Sequence, residues 1–230
     1  MLWAWRLAFL FGGVLALIAV FTRRKLAESP EFMVHRNHVT RVSFKTLIYG
    51  AGVLLLPASL VMLNTSFPTL LHFKYHYATK LIYKQMMIVS FMSALLIYCA
   101  GYWSDKFGRE FVLKIACLIT GTCIGPAFLL LIPLHTALAL FAFLLLYHAA
   151  LALLAGVFFV HLAEIFPVRQ RARSYALCYN VVYAALAVVP FAVLHVNNVA
   201  DLLCVALPLL SVLAWYCAKQ NYARSYSSLH

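Results

Sequence analysis

Long apolar runs separated by short polar clusters set the pattern of this chain. Runs of about 20 mostly apolar residues are long enough to cross a bilayer as helices. They fall at 2–22, 45–66, 84–104, 111–132, 137–161, 174–196 and 199–218. The connections at 105–110, 133–136 and 197–198 are so short that the helices they join must form antiparallel hairpins. Lipid offers backbone N–H and C=O groups no partner, so each run must satisfy its own as a helix. The pattern therefore predicts an all-α membrane protein with seven transmembrane helices. The first run is not read as a signal peptide: its basic cluster, Arg23, Arg24 and Lys25, follows the apolar stretch instead of preceding it, and no A-x-A site comes after.

Composition agrees with this reading. The chain is 65% hydrophobic and 10% charged, against roughly 25% charged residues in soluble domains. A net charge of +12 would suggest nucleic acid in a soluble protein, but here the basic residues sort by side. Fourteen of the 18 Lys and Arg lie on the face holding 23–44, 105–110, 162–173 and 219–230 with the adjoining helix ends, and four on the other. By the positive-inside rule the basic face is cytoplasmic, the N-terminus outside and the C-terminus inside. Tryptophans prefer the membrane–water boundary, and Trp3, Trp5, Trp103 and Trp215 all fall at span ends. The expected partner on these grounds is the lipid bilayer, and not nucleic acid. The six cysteines lie in or beside apolar runs without C-x-x-C spacing and read as small hydrophobes.

Two charged clusters interrupt the apolar chain on the basic face. "CAGYWSDKFGRE" (99–110) carries Gly101, Asp105, Gly108 and Arg109 in the pattern G-x-x-x-D-x-x-G-R. Glycines permit a tight turn and close helix approach. Asp105 at the membrane edge escapes the ~2.5–3.5 kcal/mol cost of a charge at the bilayer centre, and it can face the positive end of a neighbouring helix. "AEIFPVRQRARS" (163–174) places Glu164 at a helix end, Pro167 where the helix cannot continue, and Arg169, Arg171 and Arg173 beyond it. Ser174 offers a cap for the next helix, and Glu164 can pair with Arg109 at the same edge. Read singly, the first cluster also admits a solvated charged turn and the second a basic anchoring loop. A third segment, "AESPEF" (27–32), reads as a turn.

In this order the segments resemble the major facilitator superfamily, whose members carry two six-helix bundles. "WRLAFLFGG" (5–13) looks like the start of the family's sixth helix, "ESPEF" like the segment after it and "TSFPTLL" (65–71) like the end of the seventh. "GYWSDKFGR" is similar to the motif between helices eight and nine, and "AEIFPVRQR" resembles the helix ten–eleven junction. The combination most resembles the metabolite–proton symporter branch, which includes proline/betaine, citrate, shikimate and 2-oxoglutarate carriers. The resemblance implies the C-terminal half of the fold: helix six at 1–22, a cytoplasmic inter-bundle loop at 23–44, the six-helix bundle at 45–218 and a cytoplasmic tail at 219–230. It implies a multi-pass plasma-membrane protein of the bacterial inner-membrane type. It also implies a conformational gate of Gly101, Asp105, Gly108, Arg109, Glu164, Pro167 and Arg171. There Asp105 contacts the helix beginning near Ser174, and Arg109 pairs with Glu164. Glu110 departs from the family, which usually has a second Arg, and Arg173 and Ser174 stand where small residues are expected.

Carriers of this kind bind substrate near the midplane between their halves, and ionisable residues at that depth are functional candidates. His148, mid-span beside Tyr147, is the first such candidate for solute or proton; the alternative is a histidine bonded to a neighbouring helix. His161, near a helix end, is a weaker one. Tyr179, Asn180 and Asn64 are polar candidates whose alternative is interhelical packing. Pro57, Pro190 and Pro208 mark expected kinks. No hydrolase or phosphate-loop motif is present, and no cofactor or metal is expected. The expected function is secondary transport of a small organic solute, of organic acid, amino acid or betaine type, with protons as coupling ion. The chain would be a partial carrier, joined by a separately encoded N-terminal half or by self-association. The alternatives are an inactive remnant or accessory subunit, and a seven-helix receptor, although the seventh span has no lysine for retinal.

Overall fold

The computed structural model describes residues 4–25, 33 and 42–227. "ESPEF" and most of the expected inter-bundle loop lie outside these residues, as does Trp3. The chain divides into two units, Met1–Val39 and Thr40–His230. The first holds α1 (Ala4–Lys25), 22 residues long.

The second unit is a helix bundle. Its elements are α2 (Phe44–Phe73), α3 (Thr79–Phe107), α4 (Arg109–Leu131), a 3₁₀ turn (Ile132–Leu134), α5 (Ala137–Ile165), α6 (Arg171–Leu186), α7 (Val189–His195) and α8 (Val199–Ser227). Among the described residues, six helical segments are long and apolar enough to cross a membrane, with α6 and α7 together forming one of them. They correspond to the second through seventh apolar runs. The helices overshoot those runs: α2 extends to Phe73 and α8 continues to Ser227, through most of the expected tail. Helical hydrogen bonding continues past the hydrocarbon edge because each added residue closes another i→i−4 bond.

α2 and α5 form the centre. α2 packs against α5, α6, α7 and α8, α5 packs against α3 and α4, and α4 lies along α8. Between the central helices Phe67, Phe143 and Tyr147 meet edge to face, with Phe67 4.7 Å from the Tyr147 ring and 5.6 Å from Phe143. Phe128 of α4 joins at 5.3 Å from Phe143. Such contacts add about 0.5–1.5 kcal/mol beyond area burial.

Gly156 of α5 lets α3 come close. A Cβ there would lie 2.7 Å from Ala100 Cβ and 3.0 Å from the Ile97 carbonyl oxygen. Small residues at a helix crossing allow this approach in lipid, where dispersion replaces the hydrophobic driving force.

Of the three prolines expected to kink helices, only Pro190 accompanies a break. α6 ends at Leu186 and α7 begins at Val189. Pro190 has no N–H to donate to the Leu186 carbonyl four residues earlier, so the helical ladder is interrupted there. Pro57 and Pro208 lie inside continuous helices, as does Pro68.

At the end remote from the 105–110 turn, polar bonds fasten neighbouring elements. The Tyr77 hydroxyl donates to the Ile132 carbonyl at 2.9 Å, and Gln85 Nε2 donates to the Ala137 carbonyl at 2.7 Å. Lys74 Nζ donates to the Val196 carbonyl. Burial pushes the Tyr77 phenol above its ordinary pKa, with the His135 backbone opposing. It therefore remains a donor throughout the neutral range.

Candidate functional site

The chain reverses between α3 and α4 at a single residue. Gly108, at φ +90° and ψ 144°, is all that separates Phe107 from Arg109. The loop expected at 105–110 is thus reduced to one glycine, because a left-handed backbone makes the reversal without further residues. Asp105 and Lys106 complete the last turn of α3, and Arg109 and Glu110 open α4.

From that position the Arg109 guanidinium pairs with the Glu164 carboxylate at the end of α5. The side chains are 28% and 50% exposed, so solvent screens the pair and it contributes only about 0–1 kcal/mol. A bond this weak can join two helix ends and still open. Buried His161 lies one turn before Glu164 on α5.

After α5 ends at Ile165, the Gln170 N–H donates to the Pro167 carbonyl at 2.9 Å, closing the turn into α6. α6 begins at Arg171 with Gln170 as its N-cap residue. The cap expected at Ser174 is therefore corrected: Ser174 lies inside the first turn, and its N–H donates to the Gln170 carbonyl at 2.9 Å. Arg171 is half-buried, and its Nε has no hydrogen-bond partner among the described residues.

Two gate positions differ from the sequence expectation. Asp105 is exposed, and no hydrogen bond or ion pair joins it to the start of α6 among the described residues. A Cβ on Gly101 would meet nothing within 4 Å. The close approach belongs to its neighbour across the helix pair, Gly156, whose Cβ would lie 3.1 Å from the Gly101 nitrogen. The signal for Gly156 was a glycine in the middle of an apolar run, without a motif to single it out.

The midplane candidates occupy three helices. Tyr147 of α5 is fully buried, and its hydroxyl donates to the Leu60 carbonyl of α2; its geometry is that of a core residue. His148 is 3% exposed, with Nδ1 2.9 Å from the Leu144 carbonyl. A carbonyl only accepts, so Nδ1 carries the proton and Nε2 of the neutral ring is an acceptor. Nε2 is buried without a hydrogen-bond partner among the described residues, and so is Asn64 Oδ1 on α2.

Tyr179 and Asn180 are on α6, the first half-buried and the second exposed. Tyr179 stands in a ladder with Tyr175, at 6.2 Å, and Tyr183, at 4.2 Å, their rings nearly parallel. The outer two tyrosines were not sequence candidates, although the i, i+4, i+8 spacing in "YALCYNVVY" would have placed all three on one face.

Six apolar helices of membrane-crossing length make this a multi-pass membrane protein. Residues 1–190 match the Major Facilitator Superfamily, and the chain belongs to that family. It is 27% identical over 194 residues to the citrate-proton symporter of Klebsiella pneumoniae, a match covering 79% of this chain and 43% of that protein. It is 29% identical over 137 residues to the shikimate transporter of Escherichia coli (strain K12), covering 54% of this chain and 30% of the relative. The chain thus spans less than half the length of either relative. No solved structure gives a significant match.

Proposed function

We propose that the chain is part of a secondary carrier that moves a small organic acid across the membrane, coupled to protons. The observation carrying this reading is the similarity to a citrate-proton symporter along 79% of the chain. In this reading 45–218 is the second six-helix bundle, α1 is the spanning helix that precedes it, and the basic end faces the cytoplasm. Because alternating access rocks two halves around a central site, this second bundle works against a first half in the assembled carrier.

Arg109 and Glu164 form the latch at the basic end, with Gly108 and Pro167 setting the turns that present them. Gly101 and Arg171 flank it. Asp105, exposed in this conformation, takes its contact with α6 in another state of the cycle. His148 Nε2 accepts from the solute or carries the coupled proton, while Asn64, Tyr179 and Asn180 supply neutral polar contacts. Tyr147 holds His148 in place by anchoring α5 to α2. A second reading is an accessory subunit without transport of its own.

Uptake of radiolabelled citrate and shikimate into proteoliposomes separates these readings. The chain is reconstituted alone and with the first five helices of the Klebsiella symporter. Accumulation driven by an imposed pH gradient and collapsed by a protonophore is expected in the paired sample. Failure of both preparations to accumulate either acid, with correct membrane insertion, overturns the carrier assignment for these substrates.

A further inference from the structure

A groove of about 290 Å³ runs between α4 and α8, and none of Arg109, Glu164 and His148 lines it. Its walls are apolar, formed by residues such as Leu118, Pro208 and Val212. Its mouth is different. Lys114 of α4 and Lys219 of α8 both stand exposed beside Trp215, their Nζ atoms 5.8 and 5.6 Å from the indole ring. α4 begins and α8 ends at the same end of the bundle as the 105–110 turn, so both lysines lie at one membrane boundary.

Two polar atoms on the groove wall lack partners. Ser211 is 6% exposed, and neither its Oγ nor Trp215 Nε1 has a hydrogen-bond partner among the described residues. Both groups can donate, and both lack an acceptor. From Lys114 to Thr122 the groove follows about 12 Å of helix at 1.5 Å per residue. That approaches the ~15 Å thickness of one leaflet's hydrocarbon, half of the ~30 Å core.

We infer that this groove holds one anionic phospholipid, its phosphate between Lys114 and Lys219 and an acyl chain along the α4–α8 seam. Charge complementarity selects the headgroup: two ammonium groups approach the Trp215 ring that lines the groove, and no carboxylate is among the lining residues. The apolar walls select a lipid over a free phosphate ion. Trp215 itself sits where indole rings favour the boundary, and its cation–π contacts keep both lysines over the groove.

Trp215 also provides the readout. In the full chain with Trp3, Trp5 and Trp103 replaced by Phe, fluorescence comes from Trp215 alone. The protein is reconstituted in phosphatidylcholine bilayers containing a small fraction of brominated phosphatidylglycerol or brominated phosphatidylcholine, both with brominated acyl chains. The anionic lipid should reach half-maximal quenching at about a thirtyfold lower mole fraction, as two juxtamembrane lysines at about 1 kcal/mol each predict. Lys114→Gln with Lys219→Gln should make the two curves coincide, and Lys114→Arg with Lys219→Arg should keep them apart. Millimolar glycerol phosphate should leave quenching unchanged. Coincident curves for the unaltered lysine pair would overturn the inference. Persistence of the preference in the glutamine variant, or displacement of the lipid by glycerol phosphate, would equally overturn it.

Discussion

His148 illustrates how much one residue can carry in a low-dielectric bundle. Its Nδ1 is committed to the Leu144 carbonyl, leaving Nε2 as a buried acceptor. An unpaired buried acceptor is costly, about 1–3 kcal/mol, and in the proposed carrier a hydrogen bond donated by the solute relieves that cost. His148→Gln keeps a polar side chain but cannot take up a proton. It should fold and insert normally, preserve solute exchange at equal pH on both sides, and lower proton-driven accumulation by about tenfold, near the worth of one such bond. Equal accumulation by variant and parent in the paired proteoliposomes would remove His148 from the coupling path. The sequence alone made His148 a candidate because it is ionisable and mid-span. It could not tell which ring nitrogen is occupied, since that depends on where the α5 rotamer places the ring.

At the scale of elements, the helices follow from apolar run length, while their crossings follow from particular small residues. Gly101 and Gly156 both lie in helices, yet only Gly156 presses against a neighbouring backbone. Gly156→Leu should force α3 away from α5 and lower stability by about 1–3 kcal/mol as an overpacked contact. Gly101→Leu, facing open space, should change stability by less than about 0.5 kcal/mol. Thermal unfolding in detergent, followed by size-exclusion chromatography, compares the two. Similar melting temperatures would show that the α3–α5 approach adjusts freely. The one-residue turn at Gly108 was legible only in part. The glycine and its flanking charges marked a reversal, but both helices extend into the stretch that the charges suggested was loop.

For the whole molecule, the Arg109–Glu164 pair joins the start of α4 to the end of α5, positions 55 residues apart that meet only in the folded bundle. A weak exposed pair does little for stability, and in the proposed carrier it serves to bias one conformation over another. Arg109→Glu should reduce transport in the paired system by about fivefold or more, the lower range of a coupling of 1–3 kcal/mol. Combining it with Glu164→Arg should restore much of the loss, because the attraction is re-formed in reverse. Initial uptake rates normalised to inserted protein test this; a double variant no better than the single one would assign Arg109 some role other than the pair.

Taken alone, the sequence determined that the chain lives in lipid and where its six helices of membrane-crossing length fall. Those features depend on hydropathy and helix length, both local or additive along the chain. It also marked the two charged junctions, because charges in an apolar chain are costly enough to stand out. Only the tertiary structure decided that α2 and α5 form the core, that Gly156 makes the close approach, and that Tyr147 is spent on the Leu60 carbonyl. It alone brought Lys114 and Lys219 together over Trp215. These outcomes depend on the rotation of each helix about its axis and on which neighbour it meets. A run that is apolar all round does not encode that choice; it emerges when the helices pack against one another.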